Sequence, residues 1–385
     1  MPIHVSLTLW ARNFDKSTNQ QINKEVHFIA PNEQGLAKKH RAVENRTFGA
    51  ASYFDTRYMK ALFIGGTGNI STAVSKLAVS SGIDLYVLNR GVTPVSIPGV
   101  KGITADIQQA EQARNALSGH EWDVVVNWIA FTESDIERDL ALFRGKARQY
   151  IFISSASAYQ KPATYPVITE ATPVANPFWQ YSRDKIACED RLMRAFREEG
   201  FPMTVVRPSH TYDTVIPVAI GGWREYTIID RWKKGKKAII HGDGTALWTL
   251  THADDFAKGF VGLMGNVKAL GHGFHITSDE VLSWNQIYEM TARAFGCELN
   301  AVHIASDFIC RIAPELTGTL IGDKAVSAIF DNSKIKNFVP GFQATIPFQE
   351  GIARTAAWFE ADAGRRVVSK EKNELMDRIL TAYGA

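Results

Sequence analysis

Tyr181 and Lys185 stand four residues apart, downstream of a glycine-rich turn, Gly65-Gly66-Thr67-Gly68, and a serine pair, Ser154-Ser155. If 180–198 is a helix, residues four apart share one face, so both side chains can reach the same ligand. A free phenol has a pKa of about 10 and is a poor base near neutrality, but a neighbouring ammonium stabilises the phenolate and lowers that value. Tyr181 would then carry the hydroxyl proton as hydride leaves or joins carbon, a contribution of roughly 10²- to 10⁴-fold in rate. Lys185 would also hold a ribose, and Ser155, at the carboxyl end of a strand, would hydrogen-bond the reacting oxygen. Each signal alone is common, but in this order they point to an enzyme that moves a hydride on and off a nicotinamide.

The glycine turn sits between an apolar run ending at Gly65 and a helix-period segment, the context in which such a turn binds a dinucleotide. Glycine lets the backbone of Gly65, Gly66, Thr67, Gly68, Asn69 and Ile70 turn sharply toward a pyrophosphate, whose charge is met by amides at a helix N-terminus. Ser71 stands at the third small position, where glycine is usual. The next strand ends Asn89-Arg90 without the acid that would bind the ribose 2′-hydroxyl of NAD; Arg90 would instead pair with a 2′-phosphate. NADP or NAD is therefore the expected cofactor, with NADP favoured. Asp106 would accept the adenine amino group or, alternatively, cap the following helix.

These residues need a scaffold, and the chain from Met59 onward supplies one. Short apolar runs at 60–65, 85–89, 102–106, 123–127, 150–154 and 203–207 alternate with helix-period segments such as 69–81. That pattern predicts an α/β doubly wound parallel sheet, a Rossmann fold, whose strands are apolar throughout because both faces are covered. After Pro208 the texture changes to more turns and more aromatics, with helices expected near 223–233, 284–295 and 348–361. This reads as a smaller C-terminal substrate lobe. The predicted division is 59–212 with 248–278 for the NAD(P)-binding Rossmann domain, and 213–247 with 279–385 for the substrate lobe. Residues 1–58 are polar and read as an N-terminal extension outside the sheet, either an appendage or a stretch upstream of a second start at Met59.

Of 385 residues, 45% are apolar and 22% charged, enough for a sizeable core. Residues 1–58 carry eight Lys or Arg against five acids, which accounts for the whole net charge of +3 and leaves the body neutral. A neutral body argues against nucleic acid as a partner. Three widely spaced cysteines, Cys188, Cys297 and Cys310, suit reduced thiols in the cytoplasm. No membrane span or secretory signal is expected. The predicted partners are a sugar-like small molecule and, in a homodimer, a second copy of the chain.

The motifs together resemble the extended branch of the short-chain dehydrogenase/reductase superfamily, the NAD-dependent epimerase/dehydratase family. The resemblance rests on 65–71, Asp106, Ser154 to Tyr159, Tyr181-Ser182-Arg183-Asp184-Lys185, Arg207-Pro208, and Gly242-Asp243-Gly244 leading to His252-Ala253-Asp254-Asp255. It implies that Ser155, Tyr181 and Lys185 are the catalytic trio and that Pro208 lines the nicotinamide pocket. Two departures bear on substrate. Ser157-Ala158 replaces the Asp-Glu pair of the sugar dehydratases, so the extra acid and base for water elimination are missing. Trp248 replaces an arginine that holds the diphosphate in nucleotide-sugar enzymes, and tryptophan cannot neutralise phosphate.

Substrate contacts are expected from Ser157, Trp179, His210 and Trp248. The two indoles would stack on a sugar face, and His210 would be either a second acid/base or an ordinary loop histidine. Trp223, Trp232, Trp284 and Trp358 read as packing. His272 and His275, at odd spacing on a strand, point to opposite faces, so no metal site is expected. The leading reading is an NAD(P)-dependent oxidoreductase or epimerase acting on a sugar-like alcohol or ketone. The alternatives are a nucleotide-sugar epimerase that recycles its own NAD, and a non-catalytic Rossmann protein that binds RNA or senses cofactor, as relatives of this branch do.

Overall fold

The computed structural model describes residues 59–92 and 96–385. All of them lie in one compact unit, Ala50–Ala385. The reading of residues 1–58 as an extension outside the sheet falls on residues outside those described.

Seven strands form one sheet: β1 Lys60–Ile64, β2 Asp84–Asn89, β3 Lys101–Thr104, β4 Trp122–Asn127, β5 Ala147–Ile153, β6 Met203–Arg207 and β7 Gly273–His275. Every pairing is parallel, in the order β7-β6-β5-β4-β1-β2-β3. The chain starts in the middle, winds outward to β3, then returns through β4 to the other side. This reversal opens a crevice beyond the carboxyl ends of β1 and β4, where such sheets bind ligands.

Parallel strands need helical crossovers, and these cover both faces. Helices α1 (Ser71–Ser80) and, far along the chain, Ala253–Leu263 pack together on one face. Their apolar residues share a core with Phe63, Val87 and Val126. On the other face lie α2 (Ala110–Ala116), α3 (Glu133–Phe143) and α4 (Gln180–Glu199), over Leu62, Val125 and Phe152. Alternate residues of one strand thus feed opposite cores, which explains the unbroken apolar runs. A third apolar core gathers residues from 210 onward, with Tyr159 and Ile168 joining it from the segment after β5.

α4 carries the residues of interest and runs its expected length, ending where Gly200 adopts the left-handed conformation at φ 69°. It is fastened to β6 by a bidentate ion pair in which Arg207 Nε and Nη2 donate to the two Glu189 oxygens at 2.9 and 2.5 Å. Glu189 lies one turn beyond Lys185 and two beyond Tyr181, so the clamp fixes the depth of that helix face.

Two elements differ from expectation. The third strand stops at Thr104 instead of Asp106, because the Asp106 amide leaves the sheet to donate to Gln112 Oε1. The helix expected from Trp223 begins at Thr227, because Trp223 is left-handed at φ 84° and pairs with Ile216. Among the described residues no helix is long and apolar enough to cross a membrane, and the three cysteines are free.

Replacing Glu189 with alanine should strand the Arg207 guanidinium in the interior and cost about 3–5 kcal/mol in urea unfolding. The double variant Glu189→Leu, Arg207→Met should recover most of that loss. A single-variant cost under about 1 kcal/mol would show that the pair does not clamp α4.

Candidate active site

β1 delivers the chain to the glycine turn. Gly65 and Gly66 have φ of 87° and 107°, where a side chain would be strained. A Cβ would also come within 3.2 Å of Ile129 Cγ2 at Gly65 and of Val87 Cγ2 at Gly66. Thr67 and Gly68 are exposed beyond them, and no side chain caps α1. The helix N-terminus that follows the turn is therefore left without a side-chain cap, which suits a pyrophosphate. Ser71 Oγ accepts from the Gly68 amide at 2.8 Å, so the serine at the usual glycine position braces the turn. Asn69 donates to Thr211 O at 3.0 Å while its own Oδ1 is buried without a partner. Together these features fit a dinucleotide.

At the end of β2, Asn89 Oδ1 accepts from the Gly91 amide at 2.9 Å and tightens the turn that carries the exposed Arg90. Asp106 accepts from the Gln108 amide at 3.0 Å. It does not cap α2, whose N-cap is Gln109.

Lys185 is 2% exposed. Its ammonium donates to Ala130 O, just past β4, at 2.6 Å and to Ile153 O, the end of β5, at 2.8 Å. It also lies over the rings of Phe131, Phe152 and Tyr181, at 4.4, 4.9 and 5.8 Å from their centroids. Burial pulls its pKa down to about 8, against the opposing pull of Cys188, Asp135 and Glu189. Burial also raises the Tyr181 pKa; the Ser155 hydroxyl opposes this and Asp323 adds to it. The expected lowering of the phenol is therefore not what the structure gives: burial dominates, and Tyr181 holds its proton at neutral pH.

Ser155 caps a short 3₁₀ turn, accepting from the Ser157 amide. Its hydroxyl lies 2.9 Å from Ser157 Oγ, which accepts from Ser182 Oγ of α4 at 2.8 Å. Asn176 completes the brace by donating to Ser157 O at 2.8 Å. Ser157 thus acts on Ser155 and has little left to offer a substrate.

Tyr181, Ser155 and Pro208 open onto a cavity of about 460 Å³ that Ser157, Trp179, His210 and Trp248 also line. All four substrate candidates converge there, with two corrections of role. His210 is buried and donates through Nε2 to Pro217 O at 3.0 Å, and burial pulls its pKa down to about 3. It stays neutral and cannot serve as an acid near pH 7. Trp248 is buried and spends its indole N–H on Val326 O at 3.0 Å, so it presents only an apolar surface. His272 and His275 do not converge: His275 is engaged with Tyr159 Oη and Asp331 O, while the His272 ring packs on Phe338.

Several site residues escape the sequence reading. Trp223, expected in packing, is 38% exposed and lines the cavity. Lys161, Asp323 and Lys324 also line it, and no short motif marks them. Ile129 and Phe131 are 40% and 47% exposed between the glycine turn and Lys185, an apolar path of the kind a nicotinamide ring would follow. Their signal was the break in polarity after β4.

Residues 61–277, more than half of the chain, match the NAD dependent epimerase/dehydratase family. The chain belongs to that family. It is an extended short-chain dehydrogenase/reductase and an NAD(P)-dependent enzyme of that type. It is 25% identical over 291 residues to the 2′-dehydrokanamycin reductase of Streptomyces kanamyceticus, covering 74% of this chain and 80% of that one. It is 24% identical over 251 residues to the chloroplast stem-loop binding protein of 41 kDa b of Arabidopsis thaliana, covering 62% of this chain and 63%, under two thirds, of that one. The fold matches that of dTDP-glucose 4,6-dehydratase from Bacillus anthracis in complex with NAD. The TM-score is 0.63 at 18% identity, over 80% of this chain and 98% of that one.

The depressed Lys185 pKa has a stability consequence. Below about pH 8 this short-chain dehydrogenase/reductase carries the full cost of a buried ammonium. Between about 8 and 10.5 the unfolded chain binds the proton that the folded one has released, so stability should rise with pH. Urea unfolding of wild type and Lys185→Met across that window should show wild type gaining relative to the variant. A constant difference between the two would refute the assignment.

Proposed function

We propose that this enzyme transfers hydride between NAD(P) and a sugar-like alcohol or ketone, as an oxidoreductase or epimerase, with Tyr181 as acid and base. The carrying observation is that Tyr181, Ser155 and Pro208 open onto one cavity while Lys185 is buried beside the tyrosine. The division of labour follows: 59–212 with 248–278 bind cofactor, and 213–247 with 279–385 close over substrate. The NAD bound in the Bacillus anthracis relative supports a cofactor in the crevice along Gly65 to Ile70.

A nicotinamide bound there supplies or accepts the hydride. In reduction, Tyr181 gives its phenolic proton to the carbonyl oxygen, and the raised pKa keeps that proton available. Ser155, held by Ser157, hydrogen-bonds the same oxygen. The phenolate left after reduction, which is also the form that takes the hydroxyl proton in oxidation, is stabilised by the Lys185 ammonium. Two of that ammonium's three N–H groups go to Ala130 and Ile153, leaving the third for a ribose hydroxyl.

Trp248 offers no charge at the position where the resembling nucleotide-sugar enzymes hold the diphosphate with an arginine, which weighs against a nucleotide-sugar epimerase that binds its diphosphate there. The intact trio weighs against a purely RNA-binding role, although the stem-loop binding relative keeps it in view. Arg90 at the end of β2, with no acid at Asn89, favours NADP.

Tyr181→Phe should lower turnover by at least about 100-fold, with NAD(P)H binding by fluorescence nearly unchanged, since only the phenolic oxygen is lost. Wild-type turnover in that variant would end the proposed acid/base role. Arg90→Ala should weaken NADPH far more than NADH, by a contact of about 1.5–3 kcal/mol. Equal losses for the two cofactors, or a wild-type preference for NADH, would overturn the NADP assignment.

A further inference from the structure

Beyond the reacting residues, the cavity wall carries a charge cluster. Asp323 and Lys324 come from a single π-helical turn, Leu320–Lys324, a geometry that recurs at functional sites. The turn is pinned in place: Lys324 O accepts from His241 Nε2 at 2.9 Å and Trp284 Nε1 at 3.1 Å, and Gly322 O from Asn176 at 2.7 Å. Lys324 Nζ pairs with Asp323 at 3.1 Å, so these two charges cancel locally.

Lys161 faces the same cavity from the segment after β5 and is 3% exposed. Among the described residues its ammonium has no hydrogen-bond or ion-pair partner within reach. Burial pulls its pKa down; Asp323 opposes this and Lys324 adds to it. A buried ammonium without a counter-ion is costly, and it persists where a ligand supplies the missing charge. One uncompensated positive charge therefore remains in the cavity that Tyr181 also lines.

We infer that the substrate carries an anionic oxygen group, a carboxylate or a phosphate, which docks on Lys161 and Lys324 while its carbinol or ketone carbon lies at Tyr181. This deepens the proposed function, on which it rests. The same charge discriminates against an ammonium-bearing sugar, which would meet Lys161 with a like charge.

Direct binding tests it without turnover. D-glucuronate, D-glucose 6-phosphate, D-glucose and D-glucosamine are titrated against the full chain saturated with NADPH, by ligand-observed NMR. At least one acidic sugar should bind about tenfold or more tighter than glucose, and glucosamine should bind no better than glucose. Which acid prevails separates carboxylate from phosphate. Lys161→Met should abolish the acidic advantage, whereas Asp323→Asn should keep or raise it, by removing the competing carboxylate. Binding of NADPH, read separately by fluorescence, should be unchanged in both. No preference for either acid over glucose, including no detectable binding of either, would overturn the inference, as would an advantage that survives Lys161→Met. Failure of the hydride-transfer reading would show instead in NADPH binding and in Tyr181→Phe.

Discussion

An ammonium buried at 2% exposure organises this molecule. Taking the Lys185 charge out of water costs several kcal/mol unless fixed dipoles replace the lost solvent. Two carbonyls do so, one at the end of β5 and one just past β4. Both lie at the carboxyl edge of the sheet, where each oxygen can turn a lone pair to the charge. The charge therefore ties α4 to the carboxyl edge of the sheet at the point where the strand order reverses. The aromatic rings of Phe131 and Phe152 also lie beside the charge, at 4.4 and 4.9 Å from their centroids. One turn on, the Arg207 to Glu189 pair anchors the same helix face to β6, so Tyr181 is located by two charges behind it.

The cost of this arrangement falls on Tyr181. The enclosure that orients Tyr181 also desolvates it, and the phenol rises where the arrangement of residues suggested it would fall. Burial is the largest influence on the phenol, and the Ser155 hydroxyl opposes it only in part. The balance favours the proton-bearing form, which suits a donor to a ketone oxygen. The same reasoning removes His210 from acid duty: its N–H is spent on Pro217, and burial denies it a second proton.

Much of this was legible in the sequence because it is local. The apolar strands, the glycines at positive φ, and the four-residue step from Tyr181 to Lys185 all depend on neighbours within one turn or one strand, and each lies where its pattern indicates. Ends of elements were less legible: β3 stops early because Gln112, six residues beyond Asp106, claims that residue's amide. Least legible was the far wall of the cavity. Lys161 lies about 160 residues of chain before the adjacent Asp323 and Lys324, and no spacing signal links it to them, because they come from separate segments that meet only at the cavity. Ser182 sat inside a recognisable motif, yet its bond to Ser157 depends on how α4 packs, which no local pattern encodes.

Trp223 shows how the wall was built at the expense of local preference. A bulky residue at φ 84° is strained by about 1–3 kcal/mol. Two backbone hydrogen bonds to Ile216, both 2.7 Å, hold it there. Its neighbour must be glycine, because a Cβ at Gly222 would stand 2.4 Å from Val218 Cγ2 and 2.6 Å from Ile216 O. The turn thus brings backbone against backbone and swings the indole to 5.3 Å from the His210 ring. A tryptophan placed for packing alone would gain nothing from left-handed geometry, since it stays 38% exposed. The left-handed turn instead sets the half-exposed indole as a rim between solvent and the cavity that it lines.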